Sequence, residues 1–89
     1  MNCVEVLIIN KLGMHARASA KLVSLASSFE STITVSRDGR SVNGKSIMGI
    51  MMLAAGMGTT IQICADGPDE TDASKALHQL IQCRFGEGA

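Results

Sequence analysis

Asn10-Lys11-Leu12-Gly13-Met14-His15-Ala16-Arg17-Ala18-Ser19 joins two stretches of different period. Before it, Val4, Val6 and Ile8 alternate with Glu5, Leu7 and Ile9. That period of two predicts a strand over residues 2–9 with the Val4 face on the core. Its other face is also fairly apolar, which implies a partly covered or sticky sheet surface. After the quoted stretch, Ala18, Leu22, Leu25, Ala26 and Phe29 recur at helical spacing and predict a helix over residues 16–28. Gly13 is a natural bend between the two. His15 and Arg17 therefore stand where a turn enters a helix. The first N–H groups of a helix lack partners and, with the helix dipole, favour an anion. Arg17 adds a fork of donors suited to phosphate oxygens. An imidazole beside such a site is a nucleophile whose product is an anion. These residues together imply a histidine that carries a phosphoryl group.

Downstream, Thr32-Ile33-Thr34-Val35-Ser36 alternates cleanly and is rich in β-branched residues, as a strand requires. Asp38-Gly39 is a strong hairpin signal. It leads into a short strand over residues 40–43. Ser46 is a preferred N-cap and starts a short helix on Ile47-Met48-Gly49-Ile50-Met51-Met52-Leu53. Gly49 inside that helix costs about 1 kcal/mol against alanine, so packing must hold it. The helix is apolar nearly all round, which calls for a second surface to cover. Met48, Met51, Met52 and Met57 then either fill the core or form a flexible docking face. Residues 59–65 read as a strand, with Ile61 and Ile63 on one face. Asp66-Gly67-Pro68 makes a turn, and Pro68 suits the first position of a helix that runs to about residue 83. Asp69, Glu70 and Asp72 suit the positive end of that helix. Ala73, Ala76, Leu77, Leu80 and Ile81 form its inner stripe, while Lys75 and His78 lie off it and read as surface residues. The tail over residues 86–89 is expected to be mobile.

The element order is βαββαβα. Two topologies fit it: a ferredoxin-like order, or an antiparallel sheet with the last strand inserted between the first two.

Length bounds the answer to one domain over residues 1–89, small but able to bury a core. A hydrophobic content of 46% excludes a disordered chain. Eight basic and eight acidic residues give zero formal net charge, without the basic excess of a nucleic-acid binder. Two Phe, no Tyr and no Trp leave no platform for stacking bases. No secretory signal and no run of transmembrane length is visible, so the expected compartment is the cytoplasm. Cys3, Cys64 and Cys83 lack CxxC spacing, which argues against a disulfide framework or a zinc site. Buried or half-buried free thiols are the expectation. A redox role is open only if Cys3 and Cys64 lie on neighbouring strands.

Taken alone, a histidine near a glycine is most often a polar loop residue. Three segments in fixed order separate this chain from that reading. Gly13-Met14-His15-Ala16-Arg17 resembles the active-site segment of the histidine-containing phosphocarrier (HPr) family of the bacterial phosphotransferase system. The wider Asn10-to-Arg17 wording is also similar to the nitrogen-system paralogue. Gly44-Lys45-Ser46-Ile47-Met48-Gly49-Ile50-Met51 and Ala65-Asp66-Gly67-Pro68-Asp69-Glu70 resemble the family too. The resemblance implies an α+β open-faced sandwich: a four-stranded antiparallel sheet of order 1-4-2-3 with three helices on one face. It implies a carrier, not an enzyme, which takes a phosphoryl group from phosphorylated enzyme I onto His15. The group would sit on Nδ1, near the amides of Ala16 and Arg17, with Arg17 in contact. It would pass to a histidine of an enzyme II A component, in the service of sugar uptake and phosphorylation.

No cofactor or metal is implied, because the donor is itself a phosphohistidine. Ser46 is implied as a regulatory phosphorylation site for an HPr kinase/phosphorylase, beside its role as a cap. Ile47, Met48 and Met51 are the expected docking residues on a monomeric carrier without nucleic acid or membrane insertion. The chain departs from the family at Ala18, where proline is usual. Alanine keeps the helix, and the change bears on the loop geometry at His15. Two other classes stay in view. One is a nitrogen-system or regulatory paralogue acting mainly through protein binding, which needs no nucleophile at position 15. The other is an unrelated small-ligand domain, which needs a polar pocket beyond the His15 turn.

Overall fold

The computed structural model describes residues 1–86. The tail expected over residues 86–89 lies outside them apart from Gly86. The elements are β1 (Asn2–Leu7), α1 (Ala16–Ser27), β2 (Thr32–Arg37), β3 (Arg40–Asn43), α2 (Ile47–Met52), β4 (Thr60–Asp66) and α3 (Glu70–Gln82). A 3₁₀ turn at Arg84–Gly86 follows, which periodicity did not announce. The sheet order is β1-β4-β2-β3, antiparallel throughout. β1 and β2 run parallel to each other but are not neighbours, because β4 inserts between them. The ferredoxin-like alternative is thereby excluded.

Alternation decides which face is buried. Val6, Ile33, Val35, Ile61, Ile63 and Ala65 point toward the helices and are buried, while Glu5, Leu7, Thr60 and Gln62 are exposed on the other face. From the helices, Ala18, Leu22, Ala26, Ile50, Ala73, Leu77 and Ile81 complete one core. Burial of this apolar area is the main stabilising term. The expected stripe of α1 is borne out, with Leu25 and Phe29 half-buried at its margin and Ser19 buried beside it. β1 stops at Leu7, two residues short of the expected end. Ile8 is still fully buried and exchanges backbone bonds with Thr59 (2.9 Å) and Gly58 (2.8 Å).

The hairpin between β2 and β3 turns on Asp38 (φ 49°) and Gly39 (φ 81°). Positive φ at both residues is what a two-residue turn between twisted strands requires. α2 is capped as expected: Ser46 Oγ accepts from the Gly49 amide at 3.1 Å. None of α1, α2 and α3 carries a basic residue in its own last turn. Cations from other elements serve instead. Lys45 Nζ donates to the Phe29 carbonyl just past α1 (2.8 Å), and Lys21 Nζ to the Phe85 carbonyl past α3 (2.6 Å). Arg37 donates to the Leu53 and Ala54 carbonyls at the end of α2 (2.6 and 3.0 Å). Of these carbonyls only that of Leu53 belongs to a helix cap; the others lie just beyond the negative ends of α1, α2 and α3.

Two expectations are corrected. Pro68 is not the first residue of α3, which begins at Glu70 with Asp69 in the cap position. Asp69 does not cap its own helix either. Its carboxylate accepts from the Glu30 and Ser31 amides (2.9 and 3.0 Å) and from the Ser31 hydroxyl, tying the loop after α1 to the loop before α3. The Ser31 hydroxyl, with these amides, holds the Asp69 carboxyl below its ordinary range.

The cysteines are the second correction. Cys3 and Cys64 are not free thiols but form a disulfide. The cause is register: β1 pairs with β4 so that Cys3 faces Cys64, with Cα atoms 4.0 Å apart. That is near the narrow spacing of an antiparallel pair, and it is set by partners 61 residues apart in sequence. Cys83 is free and exposed rather than buried. No helix among the described residues is long and apolar enough to cross a membrane.

Candidate functional site

The site is built from a loop held rigidly on both sides of one half-exposed side chain. Asn10 is fully buried, and its Nδ2 donates to the Gly13 carbonyl at 2.7 Å. The Gly13 amide returns to the Asn10 carbonyl at 3.1 Å, closing a tight turn. Gly13 has φ +64° and lies against the backbone of Ala55 and Gly56. A β-carbon there would meet the Gly56 Cα at 2.7 Å, so glycine is required by space as well as by conformation. The Met14 amide then donates to the Ala55 carbonyl at 2.8 Å, and its side chain is buried. Ser19, also buried, donates its hydroxyl to the Met14 carbonyl at 3.2 Å. The residues flanking His15 are thus tied to one another, to α1 and to the loop after α2.

His15 itself is the N-cap residue of α1, with extended backbone (φ −73°, ψ 178°) and no side-chain cap bond. Its carbonyl accepts the first helical bond, from the Ser19 amide at 2.8 Å. The ring is half-buried at the positive end of a 12-residue helix. Arg17 is in the first turn of α1 and exposed. That turn contains no acidic residue to offset the dipole. A lone cation there is electrostatically mildly unfavourable unless an anion joins it. The backbone of Ala16 and Arg17 supplies the first helical N–H groups. α1 forms from Ala16 onward with alanine at position 18, and Ala18 is fully buried.

The expected docking residues are on α2. Ile50 and Leu53 turn inward, while Ile47, Met48 and Met51 are 43%, 71% and 42% exposed. Met52 and Met57 are exposed as well, so none of the four methionines in question fills the core. α2 packs on α1. Its following loop carries the Ala55 carbonyl that holds Met14, and Leu12 is exposed on the His15 loop. These side chains form an exposed apolar patch larger than scattered surface residues give. Ser46 is half-buried at the head of α2, one residue from Ile47.

Grooves of 430 and 480 Å³ lie elsewhere, on the open sheet face beside Ser36 and Arg37 and along α3 beside Ser74 and His78. His78, expected as a plain surface residue, is half-buried in the second. No cluster of three metal-ligating side chains occurs among the described residues. Sequence reasoning missed Asn10 and Arg37. An asparagine three residues before the bend carbonyl was a usable signal for Asn10. Nothing local pointed Arg37 at the end of α2.

Comparison with known proteins bears on the family and the fold. The family model described as the PTS HPr component phosphorylation site matches residues 3–82. The phosphocarrier protein HPr of Cupriavidus necator is 63% identical over 81 residues, 91% of each chain. A crystal structure of HPr from Thermoanaerobacter tengcongensis superposes with a TM-score of 0.95 at 48% identity, over 98% of each chain. An HPr dimer from the same organism matches with a TM-score of 0.79 at 48% identity, covering 98% of this chain and 100% of the other. The chain belongs to the PTS HPr family, as a phosphocarrier that works between phosphotransferase enzymes and is not itself a catalyst.

Proposed function

We propose that His15 is the residue that carries the phosphoryl group, received from phosphorylated enzyme I and delivered to a histidine of an enzyme II A component that serves sugar uptake. The observation that carries this reading is His15 at the N-cap of α1, half-exposed, above a first turn that holds Arg17 and no acid. His15 Nδ1 attacks phosphorus and displaces the donor's imidazole. The transferred oxygens then meet the amides of Ala16 and Arg17 and the Arg17 guanidinium. The site is open, so the phosphate is stabilised only modestly and stays transferable. Donor and acceptor use the same apolar face, formed by Ile47, Met48 and Met51, and the carrier acts as a monomer in the cytoplasm.

Ser46 is a regulatory position on this reading, addressed by an HPr kinase/phosphorylase. The purely regulatory alternative, in which the chain works by binding alone, uses the same exposed methionines of α2. Incubation with labelled phosphoenolpyruvate, enzyme I and an enzyme II A component separates the two. Label reaching the acceptor through wild-type protein but not through His15→Ala supports the carrier. Acceptor labelling at the same rate without this chain, or with His15→Ala, overturns it.

A further inference from the structure

We propose that Cys3 and Cys64 form a thiol–disulfide exchange site that fastens and releases the N-terminal edge strand. β1 has a single strand neighbour, β4. Its free end carries three ties within three residues. The Met1 amino group stands 3.0 Å from the Glu70 carboxylate and 3.8 Å from Asp66. Asn2 Oδ1 accepts from the Ser74 hydroxyl at 2.8 Å. Cys3 is bonded to Cys64 on β4. The ion pairs are largely solvated and screened, and a single neutral hydrogen bond is weak. Beside the backbone pairing of β1 with β4 and the packing of Val4 and Val6 on the core, the covalent tie is the strongest of the three.

Its surroundings favour exchange over a permanent staple. The pair lies on the sheet face that the helices leave open, with Cys3 exposed and Cys64 half-buried. The core is complete on the opposite face without it. A disulfide that persists belongs to an oxidising compartment, whereas an exposed one elsewhere is usually transient. Exchange needs only a dithiol. One thiolate of the reductant attacks Sγ of Cys3, forming a mixed disulfide and expelling the Cys64 thiolate, which takes up a proton. The second thiol of the reductant then displaces Cys3, leaving the reductant as a disulfide and both cysteines as thiols. Two electrons pass, and a disulfide oxidant runs the steps in reverse.

Release has a boundary. Past β1, Ile8 is bonded to Thr59 and Gly58, and Met14 to Ala55, so the loop around His15 keeps its own anchors. Reduction leaves the ladder to β4 without its covalent tie, so the first half of β1 opens more often, while the His15 loop stays in place.

The test uses the full chain in buffers of reduced or oxidised dithiothreitol, with iodoacetamide labelling and amide hydrogen exchange read by peptide mass. In the reduced buffer Cys3 and Cys64 should label together in the folded protein, and Cys83 should label in both buffers. Amides of residues 2–5 should exchange about tenfold faster or more when reduced, with α1 little changed. Cys3→Ser should give the fast pattern in either buffer. Labelling of Cys3 and Cys64 only in denaturant, equal β1 exchange in both buffers, or loss of protection across α1 as well would each overturn the proposal.

Discussion

The Met14 amide donates to the Ala55 carbonyl at 2.8 Å, so the loop that carries His15 and the loop that ends α2 are one hydrogen-bonded unit. Gly13 is the residue that lets them approach. Gly13→Ala would put a β-carbon 2.7 Å from the Gly56 Cα and 2.9 Å from the Ala55 carbonyl oxygen, at φ +64°. The expected cost is about 2 kcal/mol or more, read by urea denaturation. Phosphoryl transfer should slow with it. A variant as stable as wild type would mean that the two loops part easily.

Asn10 positions the site without touching it. Asn10→Ala removes the bond to the Gly13 carbonyl and empties part of a fully buried site. The expected loss is about 1–3 kcal/mol, together with slower transfer at His15. Equal transfer rates after correction for the folded fraction would show that the turn holds its shape without this side chain.

Ala54 is a non-glycine residue at φ +52°, in the turn where Arg37 caps α2. Ala54→Gly should relieve that strain and raise stability by about 0.5–1 kcal/mol, the gain being reduced by the extra freedom of the unfolded chain. A lower thermal midpoint would contradict this.

The pH dependence of stability should carry the signature of Asp69. Its folded-state pKa lies below the ordinary 3.8, first because the Ser31 hydroxyl bonds the charged form. A depressed carboxyl contributes stability above its unfolded pKa and loses it as pH falls through the folded value. Asp69→Asn should therefore be less stable than wild type near neutral pH. The difference should shrink once the pH drops below about 3.8. A difference that stays constant down to strongly acid pH would assign the Asp69 contribution to shape rather than charge.

Much of this was legible in the chain because it is local. The alternation at residues 32–36, the Asp38-Gly39 turn and the Ser46 cap each depend on neighbours in sequence. The His15 turn was legible for the same reason, from Gly13 and the helical stripe after it. What stayed hidden is non-local. The place of β4 between β1 and β2, which the residue pattern left open and only the family resemblance implied, rests on pairings such as Val6 with Ile61. The Cys3–Cys64 bond follows from that register and from no spacing motif. The capping of α2 by Arg37 needs the fold before it has an address.

Ser46 tests the docking face. Ser46→Ala should cost about 1 kcal/mol, because the Gly49 amide loses its acceptor, and should leave transfer nearly intact. Ser46→Asp keeps an acceptor at the helix start, so stability should hold. Its charge, one residue from Ile47 and two from the exposed Met48, should slow phosphoryl acceptance from enzyme I. Acceptance at the wild-type rate would reduce the serine to a cap.

The most direct measurement of the central claim is to phosphorylate the chain with enzyme I and phosphoenolpyruvate, then locate the label by peptide mass and by its stability in acid and base. The protein should take up one phosphoryl group, on His15, labile in acid and stable in base, and absent from His15→Ala. An acid-stable label, or full labelling of His15→Ala, would contradict it.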